Sequence, residues 1–159
     1  MRQSILFFDI DGTLLSDKTG KIPDSALEAL AEAKKNGHLL FINTGRTVCA
    51  LPKELYQFEF DGYLCGCGSY LLFHEEVLLE SHIEEACGQK YIEQMRECGL
   101  DGVLEGTEDL YFPKKVSRFE KLEQGRHYFG QLGLGKKKHI EEGGFLYDKI
   151  FVYADEQSE

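Results

Sequence analysis

Ser4-Ile5-Leu6-Phe7-Phe8-Asp9-Ile10-Asp11-Gly12-Thr13-Leu14 is a short apolar run that ends in two carboxylates one residue apart, followed at once by a glycine. Continuous apolar residues from Ser4 to Phe8 and then an abrupt stop are the pattern of a strand buried in a parallel sheet. Asp9 and Asp11 stand where that strand leaves the sheet, and at a period of two their side chains point the same way. Open α/β sheets bind ligands at the carboxyl ends of their strands. Two carboxylates gathered there repel each other unless a cation lies between them, and oxygen donors of this kind suit magnesium. The plainer alternative is a solvated strand-to-turn junction, because Asp-Gly is a common turn pair. A turn, however, does not need two aspartates at this spacing.

Outward from this stretch, Ser16 to Lys21 reads as a polar loop with Gly20 as its turn residue. Pro23-Asp24-Ser25 opens a helix that Asp24 or Ser25 can cap. Ala26, Leu27, Leu30, Ala31 and Ala33 supply its apolar face, and Gly37 ends it. His38 to Ile42 is a second apolar run. Strand, helix and strand at this length make a right-handed crossover onto a parallel sheet. The second strand ends in Asn43-Thr44-Gly45-Arg46, and so delivers a hydroxyl, a flexible glycine and a guanidinium to the edge that holds Asp9 and Asp11. A helix-like stretch from Thr47 to Phe58, interrupted by Pro52, would aim its amino end at an anion there.

Composition narrows the functions open to the chain. Among its 159 residues 42% are hydrophobic, enough for a packed core. A formal net charge of −10 disfavours nucleic acid, since no basic stripe is present to neutralise phosphates. Lys136-Lys137-Lys138 reads as a solvated loop. Nothing approaches the roughly 20 apolar residues of a membrane span, and no signal-peptide pattern opens the chain. Five cysteines without framework spacing read as reduced thiols of a cytoplasmic protein.

Asp9-Ile10-Asp11-Gly12-Thr13-Leu14 resembles the DxDGT(L) first motif of the haloacid dehalogenase (HAD) phosphatase superfamily. Thr44-Gly45-Arg46 is similar to its second motif in the Cof-like sugar-phosphate phosphatase branch. The resemblance implies a partial Rossmann-like HAD core (residues 1–81) with a parallel sheet, followed by an incomplete α/β cap (82–159). It implies Asp9 as a nucleophile that forms an aspartyl-phosphate, and Asp11 as the group that protonates the leaving alkoxide and then activates water. Magnesium would be held by Asp9 and the main-chain carbonyl of Asp11. Thr44 and the N–H groups near Gly12 and Gly45 would hold phosphoryl oxygens, and Arg46 is either a substrate contact or a solvated helix terminus. The substrate implied is a small phosphorylated metabolite.

Farther along, Phe60 to Cys65 reads as a third strand. Relatives then carry an Asn-Gly pair where this chain has Gly66-Cys67-Gly68-Ser69. Asp61 reads as a turn residue. Tyr70–Phe73 and Val77–Leu79 form a hairpin about His74-Glu75-Glu76. His74 and His82 read as surface residues. Ile83, Ala86, Cys87, Tyr91, Met95 and Cys98 fall at helical spacing, stopped by Gly99. Short β-like stretches at 103–104 and 109–112, a helix over 116–132 and a strand over 145–153 complete the cap-like half.

On this resemblance the chain reaches Glu159 within the cap, and the family's lysine and glycine-aspartate motif have no counterpart. Lys149, Asp148, Asp155 and Glu156 do not occupy the matching places. Ser4–Phe8 would then be an apolar edge strand, prone to homo-oligomer or swapped pairing. Two kinds of function stay open. One is a magnesium-dependent phosphomonoester hydrolase, with phosphomutase chemistry as a variant sharing the first motif. The other is a truncated, non-catalytic relative that binds phosphate or magnesium weakly or pairs with a second chain.

Overall fold

In the computed structural model, which describes residues 2–158, the chain folds as two compact units, one ending at Glu80 and one beginning at Ser81. The first contains β1 (Ile5–Phe8), α1 (Asp24–Lys35), β2 (Leu39–Asn43), β3 (Gly62–Cys65), β4 (Tyr70–Phe73) and β5 (Glu76–Glu80). These strands form one five-stranded sheet in the order β1-β2-β3-β4-β5. β1, β2 and β3 run parallel, and β3, β4 and β5 continue as antiparallel neighbours. The parallel sheet expected from sequence is therefore extended by a hairpin into a mixed one.

One face of this sheet is the core. Leu6, Phe8, Leu40, Ile42 and Tyr63 pack with Ala26, Leu27, Leu30 and Ala33 of α1. Leu30 is 3% exposed, a burial that stabilises by about 2 kcal/mol. Ala31, assigned to the same face from its spacing, is exposed. On the opposite face an aromatic row crosses the strands: Phe7 to Phe41 at 5.4 Å between ring centroids, and Phe41 to Phe73 at 5.7 Å. β1 lies at the sheet edge, so Ile5 and Phe7 are 53% and 54% exposed. The fully buried strand that continuous apolar sequence suggests is thus buried on one face only.

Two local expectations change, and a third gains a partner set. α1 is not capped by Asp24 or Ser25. Pro23 holds the cap position with extended backbone, and Asp24 lies in the first turn, where its charge suits the helix dipole. The stretch from Thr47 to Phe58 is not an α-helix. It forms two single 3-10 turns, Val48–Ala50 and Lys53–Gln57, because Pro52 separates them, and neither is long enough to bring a helix dipole to an anion. Asp61 lies in the bend before β3, where the sequence puts a turn, and it is buried there rather than solvated. It is 6% exposed, accepts a hydrogen bond from the Leu40 amide at 2.8 Å, and lies 3.6 Å from Lys34 Nζ, tying α1 and β2 to the start of β3.

The second unit contains α2 (Glu85–Glu97), β6 (Asp101–Glu105), β7 (Leu110–Tyr111), α3 (Glu120–Gln131) and β8 (Lys149–Tyr153), with an antiparallel sheet ordered β7-β6-β8. α2 packs Ile92 and Met95 with Leu104, Tyr111 and Ile150. α3 lies over the other face, where Leu122, Gly125 and Phe129 line a cavity of about 200 Å³ with Val103 and Phe151. The buried stripe of α2 is Gly88, Ile92 and Met95 rather than Cys87, Tyr91 and Cys98. Ile83 precedes the helix and instead donates its amide to the Tyr147 carbonyl. The strand expected over 145–153 starts only at Lys149, and the helix expected from Val116 starts at Glu120. His82 is not a free surface group, since its Nδ1 lies 2.6 Å from Asp148 Oδ1. Among the described residues no helix is long and apolar enough to cross a membrane.

Candidate active site

The loop after β1 is shaped by alternation. Ile10 is fully buried and Leu14 and Leu15 are nearly so, whereas Asp9, Asp11, Gly12 and Thr13 are exposed. The turn closes through the Thr13 and Leu15 amides donating to the Ile10 carbonyl at 3.3 and 2.9 Å, and the Leu14 amide to the Asp9 carbonyl at 3.3 Å. The apolar side chains anchor the turn inward, which leaves both aspartates on its solvent side. Gly12 has φ +71°, the left-handed region that a side chain resists.

Register brings the second loop to the same edge. β1 and β2 pair Phe8 with Ile42, and β2 and β3 pair Asn43 with Leu64, so the residues following β1, β2 and β3 emerge side by side. Thr44 is buried, and its hydroxyl accepts the Arg46 amide at 3.2 Å. Arg46 reaches back across the edge to Asp11. Its Nε donates to Oδ2 at 2.9 Å, its Nη2 to Oδ1 at 2.8 Å, and its Nη1 to the Ala50 carbonyl at 3.2 Å. The guanidinium bonds hold the Asp11 carboxyl below its ordinary pKa. Desolvation opposes them, and the bare charge of Arg46 adds to them.

The glycine-rich loop after β3 supports this arrangement through its backbone. The Gly66 amide donates to the Arg46 carbonyl at 2.7 Å, and the Cys67 amide to the Thr44 carbonyl at 3.4 Å. Gly45 lies so close to Cys67 that an added Cβ would meet Sγ at 3.4 Å. Gly66-Cys67-Gly68 therefore buttresses Thr44-Gly45-Arg46 from below, with Cys67 itself in the left-handed region at φ 59°. This support was invisible in the sequence, since backbone donors leave no residue-type signature.

The structure thus joins Asp11 with Arg46, and Arg46 with Thr44, and it sets Asp9 beside them on the strand end. Among the described residues no group of three or more His, Cys, Asp or Glu side chains gathers to hold a metal ion. The donors that remain are the Asp9 carboxylate and main-chain carbonyls, hard oxygens of the kind magnesium takes. They fit part of such a shell.

A mixed α/β sheet that gathers a carboxylate pair, a hydroxyl and a guanidinium at one edge defines the class of protein: an α/β fold with a polar strand-end site. A family model of haloacid dehalogenase-like hydrolases matches residues 6–159. Pyridoxal phosphate phosphatase YbhA of Escherichia coli (strain K12) is 36% identical over 107 residues, 65% of this chain and 39% of YbhA. The Bacillus subtilis (strain 168) protein YkrA is 28% identical over 97 residues, 61% of this chain and 37% of YkrA. The HAD subclass IIB sugar phosphatase BT4131 superposes with a TM-score of 0.70 at 26% identity, over 89% of this chain and 54% of BT4131. The chain belongs to the haloacid dehalogenase-like hydrolase family. It spans about two fifths of the length of these curated relatives.

Proposed function

We propose that the chain carries the nucleophile side of a phosphomonoester hydrolase acting on a small phosphorylated metabolite. The observation that carries this reading is the exposed Asp9–Asp11 pair about buried Ile10, at the edge where Thr44 and Arg46 also arrive. An Asp9 carboxylate oxygen attacks phosphorus, the ester P–O bond breaks, and Asp11 passes a proton to the departing alkoxide. Water, giving its proton to Asp11, then attacks the aspartyl-phosphate and releases inorganic phosphate. Thr44 and the amides of Gly12 and Gly45 are the donors offered to the phosphoryl oxygens. Asp9 and the Asp11 main-chain carbonyl would hold magnesium, which when bound offsets the charge of phosphate meeting carboxylate.

The names of the relatives favour a sugar phosphate or pyridoxal phosphate as the substrate class. The five free cysteines accord with a cytoplasmic setting. A second reading, a phosphate binder without turnover, is favoured by the bidentate occupation of Asp11 by Arg46. Hydrolysis of p-nitrophenyl phosphate with magnesium separates the two. Turnover that falls at least about 100-fold in Asp9→Asn is the expected result. A well-folded chain with no turnover, yet binding inorganic phosphate, would leave only the second reading.

A further inference from the structure

Arg46 has a fixed backbone and an exchangeable head. Its amide and carbonyl are held by Thr44 Oγ1 and the Gly66 amide. Its side chain is 27% exposed and the Asp11 side chain 58% exposed, so water reaches the ion pair. A guanidinium fork matches a carboxylate and a phosphate equally well, because each offers two oxygens at similar spacing. The fork on Asp11 is bidentate but open to water, and a dianionic phosphate beside it would compete for the same donors.

We infer that Arg46 is an anion-operated latch: without ligand it occupies the Asp11 carboxylate, and an arriving phosphate takes the guanidinium and frees that carboxylate for the leaving group. This rests on the phosphatase reading above and adds an order to it. The proton-transfer group is uncovered only after the phosphate has arrived. Arg46 is accordingly a positioning residue for Asp11 in one state and a phosphate ligand in the other.

Inorganic phosphate, titrated into the full chain with magnesium and followed by NMR, tests this in wild type, Asp11→Asn, Arg46→Met and the double variant. Asp11→Asn removes the competitor, so it tightens phosphate about fivefold more with Arg46 present than in the Arg46→Met background. The Arg46 Nε–H resonance shifts over the same phosphate range as the Gly45 amide. Arg46→Lys, which keeps the charge but not the fork, guards against loss of fold in the double variant. In its background the extra gain falls below about twofold. Equal gains in all backgrounds, meaning plain relief of charge repulsion, would overturn the latch and leave the phosphate site standing. So would an Nε–H resonance unmoved at saturation. Absence of phosphate binding in every form would remove the site and the latch together.

Discussion

At the scale of single residues, the site is built by what is hidden as much as by what is shown. Ile10, Leu14 and Leu15 are the anchors that turn Asp9 and Asp11 outward. Cys65, the last residue of β3, is a comparable anchor next to the buttressing loop. It is fully buried, and burial pushes its thiol from an ordinary 9.0 up to about 12. A raised pKa means that the folded chain holds the proton more tightly than the unfolded one. Its contribution to stability is complete below about pH 9 and is lost as pH rises toward 12. Cys67 and Cys87 are exposed, so Ellman's reagent at pH 8 labels them in the native protein, while Cys65 reacts only after urea is added. Native labelling of Cys65 at the Cys67 rate would contradict its burial. The aspartates could be read from sequence because their chemistry is local, two carboxylates behind an apolar run. The Asp11–Arg46 pair could not, because the partners are 35 residues apart and meet only through the β1–β2 register.

At the scale of elements, two glycines that look alike in sequence have opposite roles. Gly62 opens β3 opposite Phe41, and a Cβ there would collide with the Phe41 ring and approach the Leu72 carbonyl oxygen to 2.6 Å. Neither a sheet carbonyl nor a ring already packed between Phe7 and Phe73 can yield. Gly62→Ala is therefore expected to destabilise by about 2 kcal/mol or more. Gly125 lies inside α3 with nothing within 4 Å of an added Cβ, beside the cavity over Val103 and Phe151. Gly125→Ala is expected to stabilise by about 0.5–1 kcal/mol through helix propensity. Urea denaturation of both variants checks the pair, and a stabilised Gly62→Ala or a destabilised Gly125→Ala would contradict these contacts. Helices and strands themselves were legible from periodicity, and their ends and faces less so. α2 buries Gly88, Ile92 and Met95 rather than Tyr91, and Ile83 lies before the helix with its amide on the Tyr147 carbonyl. Pro52 did announce a break, but not that both pieces would tighten into 3-10 turns.

At the scale of the whole molecule, the first unit buries one sheet face under α1, while on the other face the aromatic row buries Phe41 and leaves Phe7 exposed at its end. Ile5 and Phe7 sit on β1, whose outer edge has no strand partner among the described residues. An apolar edge strand with unpaired amides and carbonyls is a template for another strand. The alternation of β1 makes the template one-sided, because Leu6 and Phe8 are committed to the core while Ile5 and Phe7 are not. Self-association through β1 is the expected behaviour of this chain in solution. Sedimentation velocity over a range of micromolar concentrations should show mass rising with concentration. Phe7→Lys places a charge on the exposed edge without touching the α1 core, and it should return the chain to a monomer at a cost of about 1 kcal/mol in urea stability from the lost Phe7–Phe41 contact. A concentration-independent monomer in wild type would refute the edge argument. Association that survives Phe7→Lys would move it to another surface, and β5, whose Val77, Leu78 and Leu79 are all exposed, is the next strand at an open edge.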